Sequence, residues 1–507
     1  MILHGEEARK KLMEGVNLVA DTVLGTLGPK AKTVIIKQNG KPVVINDGVT
    51  IAKSVWSDDP YVQMGVELVQ EVASQAQDKS GDGTTTSIIL ARELCRSGLK
   101  DIMDAGLDPV ILKKELDTIV TDIIDHLNAI AKPINGRGDL ENVATIAANN
   151  DAELGLLIAD IVEEIGKDGV ISVEDGQNTE TTYKVTDGME LDRGYLTHVM
   201  VNNADEGHCE FGDSLVLLTN SNINDFKDLI PILKLSEQEK KPLLIISKDI
   251  EGNALPNLLV NIMQQTVRVC AIRAPEFGDD QIEILKDINS VVGGKVFNAD
   301  VNDEFSKATL EDLGTATKVK VDRTTTVIIN DNAIQDKIDE RVATLTSQMD
   351  NQKNDWFEEK IHNRIGKLTG GVAVVKVGAA TEVELRERKE RLDDALNATK
   401  CAVQEGIVVG GGMALFDWAK SDGAFYSAFS KPAQLIAHNS GIILDETRLK
   451  DGIGFNANKN TYEHLFNAGI IDPVKVTKNA VLTAASIAGL VLTTNVLVPE
   501  KEEPKWD

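Results

Sequence analysis

The residues best suited to chemistry form one glycine- and threonine-rich segment, Gly81-Asp82-Gly83-Thr84-Thr85-Thr86, at the start of a predicted helix that runs to about residue 97. Glycines let a backbone approach a ligand closely, and the free N–H groups and positive dipole end of a helix suit a phosphate. Asp82 would repel a phosphate unless it held Mg²⁺, which then bridges phosphate oxygens. The segment therefore predicts a magnesium–phosphate site, but an Asp/Thr N-cap after a tight turn explains it equally well.

Two other glycine segments could contact a nucleotide, and each alone is a weak signal. One is Thr26-Leu27-Gly28-Pro29, after an amphipathic helix, and the other is Gly410-Gly411-Gly412. Helix ends and close packing use the same residues. The chain lacks the Walker-A, GxGxxG, HExxH and GxSxG patterns, which argues against a P-loop ATPase, a Rossmann dehydrogenase, a zincin and a serine hydrolase.

Two carboxylates are candidates for a role beyond surface charge. Asp47 stands next to Gly48 at the end of a predicted hairpin, and Asp394 lies on a highly charged predicted helix. For Asp394 the pattern alone favours an exposed position among the salt bridges of that helix.

Two apolar helical segments, 226–235 and 252–263, carry a second signal. In the later segment apolar residues occupy more than one face, and Pro256 is tolerated only in the first helical turn. Packing from two sides explains this pattern, and the pattern alone favours that interpretation. The alternative is an exposed groove that binds apolar segments.

Composition restricts the class of protein. The 507 residues carry a net charge of −27, which disfavours a nucleic-acid partner because phosphate backbones repel it. No run of 18 uninterrupted apolar residues appears, so we expect no membrane span. Scattered cysteines without a CxxC pair, and an N-terminus without signal-peptide features, predict a cytoplasmic protein. The cysteines are Cys95, Cys209, Cys270 and Cys401.

The elements that must position these residues suggest one domain inserted in another. The first 130 residues read as helices with a hairpin, 34–36 and 43–45, around the turn pair Asn39-Gly40. Apolar runs at 215–219, 243–246 and 267–271 alternate with helical patterns, which predicts a parallel α/β core. The last hundred residues are helical again, so the two ends of the chain must find each other.

In this order, the motifs resemble the group I chaperonins, the bacterial and mitochondrial type, and indicate a divergent member. Besides the segments above, the resemblance rests on a set spread over nearly the whole chain: Asn46-Asp47-Gly48-Val49-Thr50, Arg193-Gly194-Tyr195-Leu196, Ala274-Pro275-Glu276-Phe277-Gly278-Asp279, Gly370-Gly371-Val372, Asp394-Ala395-Leu396-Asn397-Ala398-Thr399 and Asp472-Pro473-Val474-Lys475.

The resemblance implies a multidomain α/β chaperonin fold with three domains. A mostly helical equatorial ATP-binding domain would comprise 1–129 and 405–507. A small α/β intermediate hinge domain would comprise 130–186 and 373–404, and an α/β apical domain 187–372. Pro133, Gly188 and Gly370-Gly371 fall near the expected hinges.

The resemblance also implies an ATPase with ATP and Mg²⁺, and K⁺ as a further candidate ion. Asp82 would bind the metal, and Asp47 and Asp394 would orient or activate the attacking water. Since Asp394 belongs to the intermediate domain, hydrolysis would require that domain to close on the site. The implied nucleotide contacts are Thr26, Leu27, Gly28, Pro29, Asp82, Gly83, Thr84, Thr85, Thr86, Gly411, Asn456, Ala457, Asn458 and Asp472.

For the apolar helices, the resemblance favours a polypeptide-binding surface. It implies capture of non-native polypeptides by a homo-oligomeric ring of seven subunits per ring, with a co-chaperonin lid. The segment from Gly412 to Phe455 is shorter than usual in the family, so the number of rings stays open. The implied contacts are Tyr195, Val199, Ile230, Leu233, Leu255, Leu259 and Val260.

Two other functions remain compatible with the sequence. One is a passive holdase that binds polypeptides without productive ATP cycling, against which the presence of Asp47, Asp82 and Asp394 argues. The other is an unrelated Mg²⁺-dependent phosphotransferase that uses the loop at Asp82.

Overall fold

The computed structural model describes residues 2–38, 41–45, 47–166, 169–176, 178–204, 206–301, 303–331, 333, 335–351, 355–419, 425–450 and 452–499. The predicted turn pair Asn39-Gly40, Asn46 of the Asn-Asp-Gly motif and the tail from residue 500 lie outside these residues. Two compact units divide the chain: unit 1 comprises Met1–Asp160 and Ala380–Asp507, and unit 2 comprises Ile161–Ala379. The three-domain division with an intermediate domain stays a prediction.

The first segment of unit 1 is helical except for short strands, as predicted. Its elements are β1 (Leu3–His4), α1 (Gly5–Val23), β2 (Val34–Gln38), β3 (Lys41–Ile45), α2 (Gly48–Ser54), α3 (Pro60–Ser80), α4 (Thr84–Asp104), α5 (Pro109–Ile130), α6 (Arg137–Ala147) and α7 (Ala152–Ile165), of which α7 extends into unit 2. Strands β2 and β3 pair antiparallel as the predicted hairpin.

Sequence signals at the ends of α3 explain where that helix begins and stops. The Asp59 carboxylate accepts hydrogen bonds from the backbone N–H groups of Tyr61 and Val62, and Pro60 occupies the first turn. The helix ends at Gly81, whose φ of 63° lies in the left-handed region. The helix therefore delivers the chain directly into the Gly81–Thr86 segment.

Unit 2 follows and contains the predicted parallel α/β core. Its elements are β4 (Val170–Asp175), β5 (Thr182–Thr186), β6 (Gly188–Leu191), β7 (Cys209–Phe211), β8 (Ser214–Thr219), β9 (Asn222–Ile223), α8 (Phe226–Glu239), β10 (Leu243–Ser247), β11 (Asp249–Ile250), α9 (Ala254–Met263), β12 (Val269–Arg273), α10 (Asp279–Val292), β13 (Val296–Phe297), β14 (Gly314–Ala316), β15 (Lys318–Val321), β16 (Thr326–Ile329), α11 (Gln335–Asn351), α12 (Asp355–Thr369) and β17 (Val372–Val377).

Three larger sheets and the two-stranded pair of β9 and β11 organise the described part of unit 2. Strands β12, β10, β8 and β13 lie side by side in that order and run parallel, with β14 antiparallel against β8. A second sheet has the order β6, β16, β15, β7, and a third the order β4, β17, β5. All five residues of β10 are buried, as expected for a central strand covered on both faces.

The chain then returns to unit 1. The elements are α13 (Glu382–Glu405), β18 (Ile407–Val409), α14 (Met413–Trp418), α15 (Tyr426–Phe429), α16 (Lys431–Asn439), β19 (Ile453–Asn456), β20 (Thr461–His464), β21 (Ile471–Pro473), α17 (Val474–Thr493) and β22 (Val496–Leu497). Helix α17 packs against α3, α4 and α5, and β22 pairs antiparallel with β1. The inserted arrangement predicted from the sequence is confirmed, because both ends of the chain build one unit.

Within the described part of the chain, α17 alone is long and apolar enough to meet the length and composition criteria of a membrane span. Of its most apolar stretch, 56% is buried inside the protein, and Val481, Ala484 and Val491 belong to the core of unit 1. Core helices satisfy the same criteria.

Candidate functional site

A cavity of about 420 Å³ in unit 1 brings together residues that are far apart in the chain. Every nucleotide contact implied by the resemblance lines it, from Thr26 to Asp472, and so do Asp47 and Asp394. The lining comes from the start of α2, the start of α4, the middle of α13 and the loops around β18 to β21. The site therefore lies where helix ends and glycine turns meet.

The start of α4 shows why its glycines are needed. Gly83 has a φ of 84°, and a Cβ there would lie 2.8 Å from Cγ1 of Val476. No side chain caps this helix, and the Asp82 carboxylate accepts instead from the N–H of Gly83 at 2.5 Å. The Asp/Thr N-cap predicted as the alternative is therefore absent. Thr84, Thr85 and Thr86 line the cavity at the start of α4, where the first N–H groups of a helix have no partner within the helix.

The Thr26–Pro29 segment is fixed against the same helix start. The hydroxyl oxygens of Thr26 and Thr85 are 3.2 Å apart, within hydrogen-bond distance. The side-chain amide of Asn439 donates to the carbonyl oxygens of Leu24 and Leu27 at 3.0 and 2.9 Å. These bonds satisfy a loop backbone that would otherwise need water.

Asp47 caps α2. Its two carboxylate oxygens accept from the N–H groups of Val49 at 3.0 Å and Thr50 at 2.7 Å. A carboxylate has about four lone-pair sites, so each oxygen retains one for a further donor. Capping holds the Asp47 carboxylate in a fixed orientation at the cavity wall.

The Asn456–Asn458 segment is a turn stabilised by its own first residue. The side-chain oxygen of Asn456 accepts from the N–H groups of Asn458 at 3.0 Å and Lys459 at 3.2 Å, and its amide donates to Glu463 at 2.5 Å. Asn456 and Ala457 are both 4% exposed. The structure thus gives Asn456 a structural function in addition to a place in the wall.

Carboxylates dominate the electrostatics of the cavity. Burial, and then the charges of Asp82 and Asp47, raise the pKa of Asp394 well above its usual range. Burial and the nearby Asp47 raise the pKa of Glu390 to about 7. Burial and Asp82 raise the pKa of Asp472 to about 7, and burial also raises the pKa of Asp82 despite the Gly83 hydrogen bond. The cavity holds more negative charge than its own cations offset.

The carboxylates of the cavity wall fit a divalent cation that is bound together with a phosphate group. Among the described residues the cavity wall carries six carboxylates and two cationic side chains: Asp47, Asp82, Glu387, Glu390, Asp394 and Asp472 against Arg391 and Lys459. Both cations already contact carboxylates, Arg391 with Asp151 at 3.1 Å and Lys459 with Glu463 at 3.5 Å. No group of three or more potential metal ligands occurs in the described ranges. Mg²⁺ held by one or two carboxylates plus phosphate and water oxygens needs no such group.

Unit 2 presents apolar side chains at the predicted polypeptide-binding positions. Val199, Ile230 and Val260 are 40%, 37% and 49% exposed. Tyr195, Leu255 and Leu259 are partly buried against the core of the unit. Helices α8 and α9 pack against each other, and α9 packs against the short 3₁₀ helix His198–Met200, so these residues belong to one region.

Leu233 is the exception. It is 8% exposed and belongs to the core of unit 2, so the predicted contact is corrected to a packing residue. The helical pattern placed Leu233 and Ile230 on one face of α8. In the structure Leu233 packs into the core, whereas Ile230 lies at the edge of that face and stays exposed. Met263, which the sequence analysis missed, is 70% exposed at the end of α9. Pro256 lies in the first turn of α9, as required.

Comparison with known proteins decides the family. Residues 19–421 match the TCP-1/cpn60 chaperonin family. The chain belongs to this family. Two crystal structures of the chaperonin gp146 from the bacteriophage EL 2 (Pseudomonas aeruginosa), both in the presence of ATP-BeFx, share its fold. Crystal form II has a TM-score of 0.76 at 20% identity, covering 99% of this chain and 100% of that chain. Crystal form I has a TM-score of 0.66 at 20% identity, covering 99% of each.

The predicted chaperonin fold is thus confirmed. Helix α13 contributes Asp394 to the wall of this cavity within unit 1, and the closure of an intermediate domain on the site stays a prediction.

Several wall residues of this chaperonin site were not predicted. Asn149 and Asn150, between α6 and α7, have φ values of 55° and 66° and line the cavity. Asparagine tolerates the left-handed region, so the Asn-Asn pair was a usable signal for a turn. Glu387, Glu390 and Arg391 share α13 with Asp394, but nothing in a charged helical pattern distinguishes them from exposed residues.

Proposed function

We propose that this protein is an ATP-driven protein-folding chaperonin of the group I type. The observation that carries the proposal is the single cavity lined by all predicted nucleotide residues and by both predicted catalytic carboxylates. These residues come from segments that are far apart in the chain, and the fold of unit 1 brings all of them to one cavity. The ATP analogue present with the bacteriophage EL 2 chaperonin supports the same nucleotide class.

In the proposed reaction the chain mainly positions groups. Asp47 and Asp394 orient the attacking water, and the N–H groups at the start of α4 bind phosphate oxygens. Asp82 holds Mg²⁺, which when bound offsets the charge of the phosphates and of the surrounding carboxylates. The threonine hydroxyls of Thr84, Thr85 and Thr86 add further donors to the phosphates.

The proposed clients are non-native polypeptides, which bind the exposed apolar residues of α8, α9 and the 3₁₀ helix. Burying apolar surface contributes roughly 25 cal/mol per Å² and requires no particular sequence. Weak sites on several subunits of a homo-oligomeric ring multiply that affinity. Seven subunits per ring, a co-chaperonin lid, a K⁺ ion and a cytoplasmic location complete the proposal.

The first test concerns the chemistry. Asp394→Ala is expected to retain MgATP binding and to lose nearly all ATP turnover, because the water loses one of its two orienting carboxylates. Phosphate release and equilibrium nucleotide binding measure the two properties separately. Asp393→Ala, which removes a neighbouring carboxylate outside the cavity, is the matched control and should keep turnover within about threefold. Unchanged turnover in Asp394→Ala would remove the catalytic assignment.

The second test concerns polypeptide capture. The double variant Val260→Ser and Met263→Ser should weaken binding of a chemically unfolded protein several-fold, because it removes two exposed apolar side chains. Val383→Ser, at a position that is 68% exposed in unit 1, is the control for a general effect of surface polarity. Capture at the wild-type level by the double variant would contradict the assignment. Capture by the wild type that ATP never releases would instead indicate a passive holdase.

A further inference from the structure

Asn439, the last residue of α16, holds a backbone segment of the nucleotide cavity although it does not line the cavity itself. Its Nδ2 donates to the carbonyl oxygen of Leu24 at 3.0 Å and to that of Leu27 at 2.9 Å. The two acceptors lie 415 and 412 residues earlier in the chain. Neither the motifs nor the resemblance assigned a function to Asn439.

A second contact joins the same face of α16 to the same loop. Ile436 precedes Asn439 by three residues, a spacing that places both side chains on one face of a helix. A Cβ at Gly28 would lie 3.2 Å from Cγ2 of Ile436, which itself lines the cavity. Helix α16 therefore fixes the loop at Gly28 by packing and at Leu27 by a hydrogen bond.

The peptide group between Leu27 and Gly28 is the part of the loop that most needs such support. Leu27 has a φ of −86° and a ψ of 130°, and Gly28 has a φ of 90°. These angles are close to those of the two central residues of a type II turn. A type I turn differs by a rotation of the central peptide through about 150–170°, and glycine tolerates both signs of φ. The hydrogen bond from Asn439 to the Leu27 carbonyl selects one of the two orientations.

This orientation decides which polar group of the peptide faces the cavity. The C=O and N–H bonds of a trans peptide point in opposite directions, and the Leu27 oxygen is directed at Asn439, outside the cavity wall. The N–H of Gly28, a wall residue, has no hydrogen-bond acceptor among the residues that the structure describes. That N–H is therefore available to an anionic oxygen, whereas the rotated peptide would present a carbonyl oxygen, which repels an anion.

We propose that Asn439 is a positioning residue for nucleotide binding, which holds the Leu27–Gly28 peptide so that the Gly28 N–H faces the phosphates. This inference rests on the proposed ATPase function. The loop borders the proposed phosphate site, because the hydroxyl oxygens of Thr26 and of Thr85, at the start of α4, are 3.2 Å apart.

Loss of the Asn439 amide should weaken binding of phosphorylated nucleotides and spare the chemical step. The carboxylates proposed to orient the water, Asp47 and Asp394, belong to other elements of the wall. We therefore expect kcat at saturating MgATP to stay within about threefold, while KM and the dissociation constant of MgATP rise about tenfold or more. Adenosine carries no phosphate, so its affinity should change less than about threefold. A general loss of packing would weaken both ligands alike.

The experiment compares Asn439→Ala and Asn439→Asp with Gln434→Ala in the full-length protein. Asn439→Asp keeps the shape of the side chain and replaces the donor by an oxygen, so it serves if the alanine variant does not fold. Gln434, on the same helix, donates to Glu446 at 3.0 Å and does not line the cavity, which makes it the matched control. Displacement of a fluorescent ATP analogue by MgATP and by adenosine gives the affinities, and phosphate release gives kcat and KM.

Both Asn439 variants are expected to lose about tenfold or more in MgATP affinity, whereas Gln434→Ala should stay within about twofold of the wild type. Wild-type MgATP affinity in both variants, or an equal loss for adenosine, would overturn the inference and leave the ATPase proposal standing. A wild-type protein that bound ATP without releasing phosphate would instead remove the ATPase proposal, and the binding comparison would still decide the function of Asn439.

Discussion

Gly83 is the residue at which local backbone geometry and the site are most directly coupled. Its left-handed φ turns the chain into α4, and the absence of a side chain lets Val476 of α17 pack against the turn. An L-residue here would suffer both the conformational cost and a contact at 2.8 Å. The N–H groups at the start of α4 depend on this turn for their direction.

We therefore expect Gly83→Ala to weaken MgATP binding by at least tenfold and to lower the stability of unit 1 by roughly 1–3 kcal/mol. Equilibrium nucleotide binding and chemical unfolding measure the two effects. Gly138→Ala in α6 is the control, because no atom lies within 4 Å of its Cβ position and its φ is not left-handed. That substitution should be neutral or slightly stabilising, and equal losses in both variants would contradict the special function of Gly83.

At the residue scale, the sequence identified site residues that stand in an unusual local motif. It missed site residues that differ from surface residues only in their three-dimensional surroundings. Asp82 was identified because glycines and threonines flank it. Glu390 was missed because a glutamate on a helix of alternating charges looks the same whether it faces water or a cavity. The capping function of Asp47 was missed although the sequence placed this residue at the end of the hairpin, because the cap depends on α2 beginning at Gly48, a short helix that was not predicted.

Among the elements, helices α10, α11 and α12 are joined by a buried ionic network in unit 2. Asp287 of α10 is 2% exposed and accepts from Nε of Arg341 and Nε of Arg364, both at 2.7 Å. Glu283, one turn earlier, also contacts Arg341 at 2.7 Å. The network fixes the two long helices that follow the sheet to the helix that covers it.

Removing the Asp287 carboxylate should lower the stability of unit 2, because it leaves the buried charges of Arg341 and Arg364 without their main partner. Asp287→Asn is expected to destabilise unit 2 by roughly 3–5 kcal/mol and to increase hydrogen exchange throughout α10. Lys286→Gln, which removes the exposed partner of Glu283, should cost less than about 1 kcal/mol. Similar exchange in the two variants would show that the network contributes little.

The same network predicts an acid-sensitive contribution. Burial raises the pKa of Glu283, but hydrogen bonds from Lys286 and Arg341 lower it further, to about 2. Because the folded-state pKa is depressed, this stabilisation is complete above the unfolded value of 4.5 and is lost as the pH falls toward 2. Its size is small, since the carboxylate is partly exposed and screened.

The elements themselves were largely predictable. The apolar runs at 215–219, 243–246 and 267–271 correspond to β8, β10 and, shifted by two residues, β12. Continuous apolar runs that alternate with helical patterns favour a buried parallel sheet. Which side of each helix faces the core was harder to predict from the sequence. Leu233 and Ile230 carry the same hydrophobic signal, and only the packing of α8 on the sheet distinguishes a core residue from an exposed one.

On the scale of the whole molecule, the inserted arrangement followed from composition, whereas the boundaries did not. A shift from helical ends to an α/β middle indicates the insertion. The two compact units, however, divide at Asp160 and Ala379. Those positions depend on which tertiary contacts each helix makes, and such contacts leave no mark in a single sequence. The nucleotide cavity was predictable as a set of residues but not as an enclosed volume.

The pairing of β1 with β22, with Leu3 opposite Leu497, has a consequence for biosynthesis. A ribosome adds about 5–20 residues per second, so the partner of the first strand emerges tens of seconds after it. During that interval α17 is not available to pack against α3, α4 and α5, so the apolar surfaces that it covers in the folded protein stay exposed. The nascent chain is therefore itself a vulnerable folding intermediate, and cannot complete its nucleotide cavity until Asp472 and the start of α17 have been synthesised.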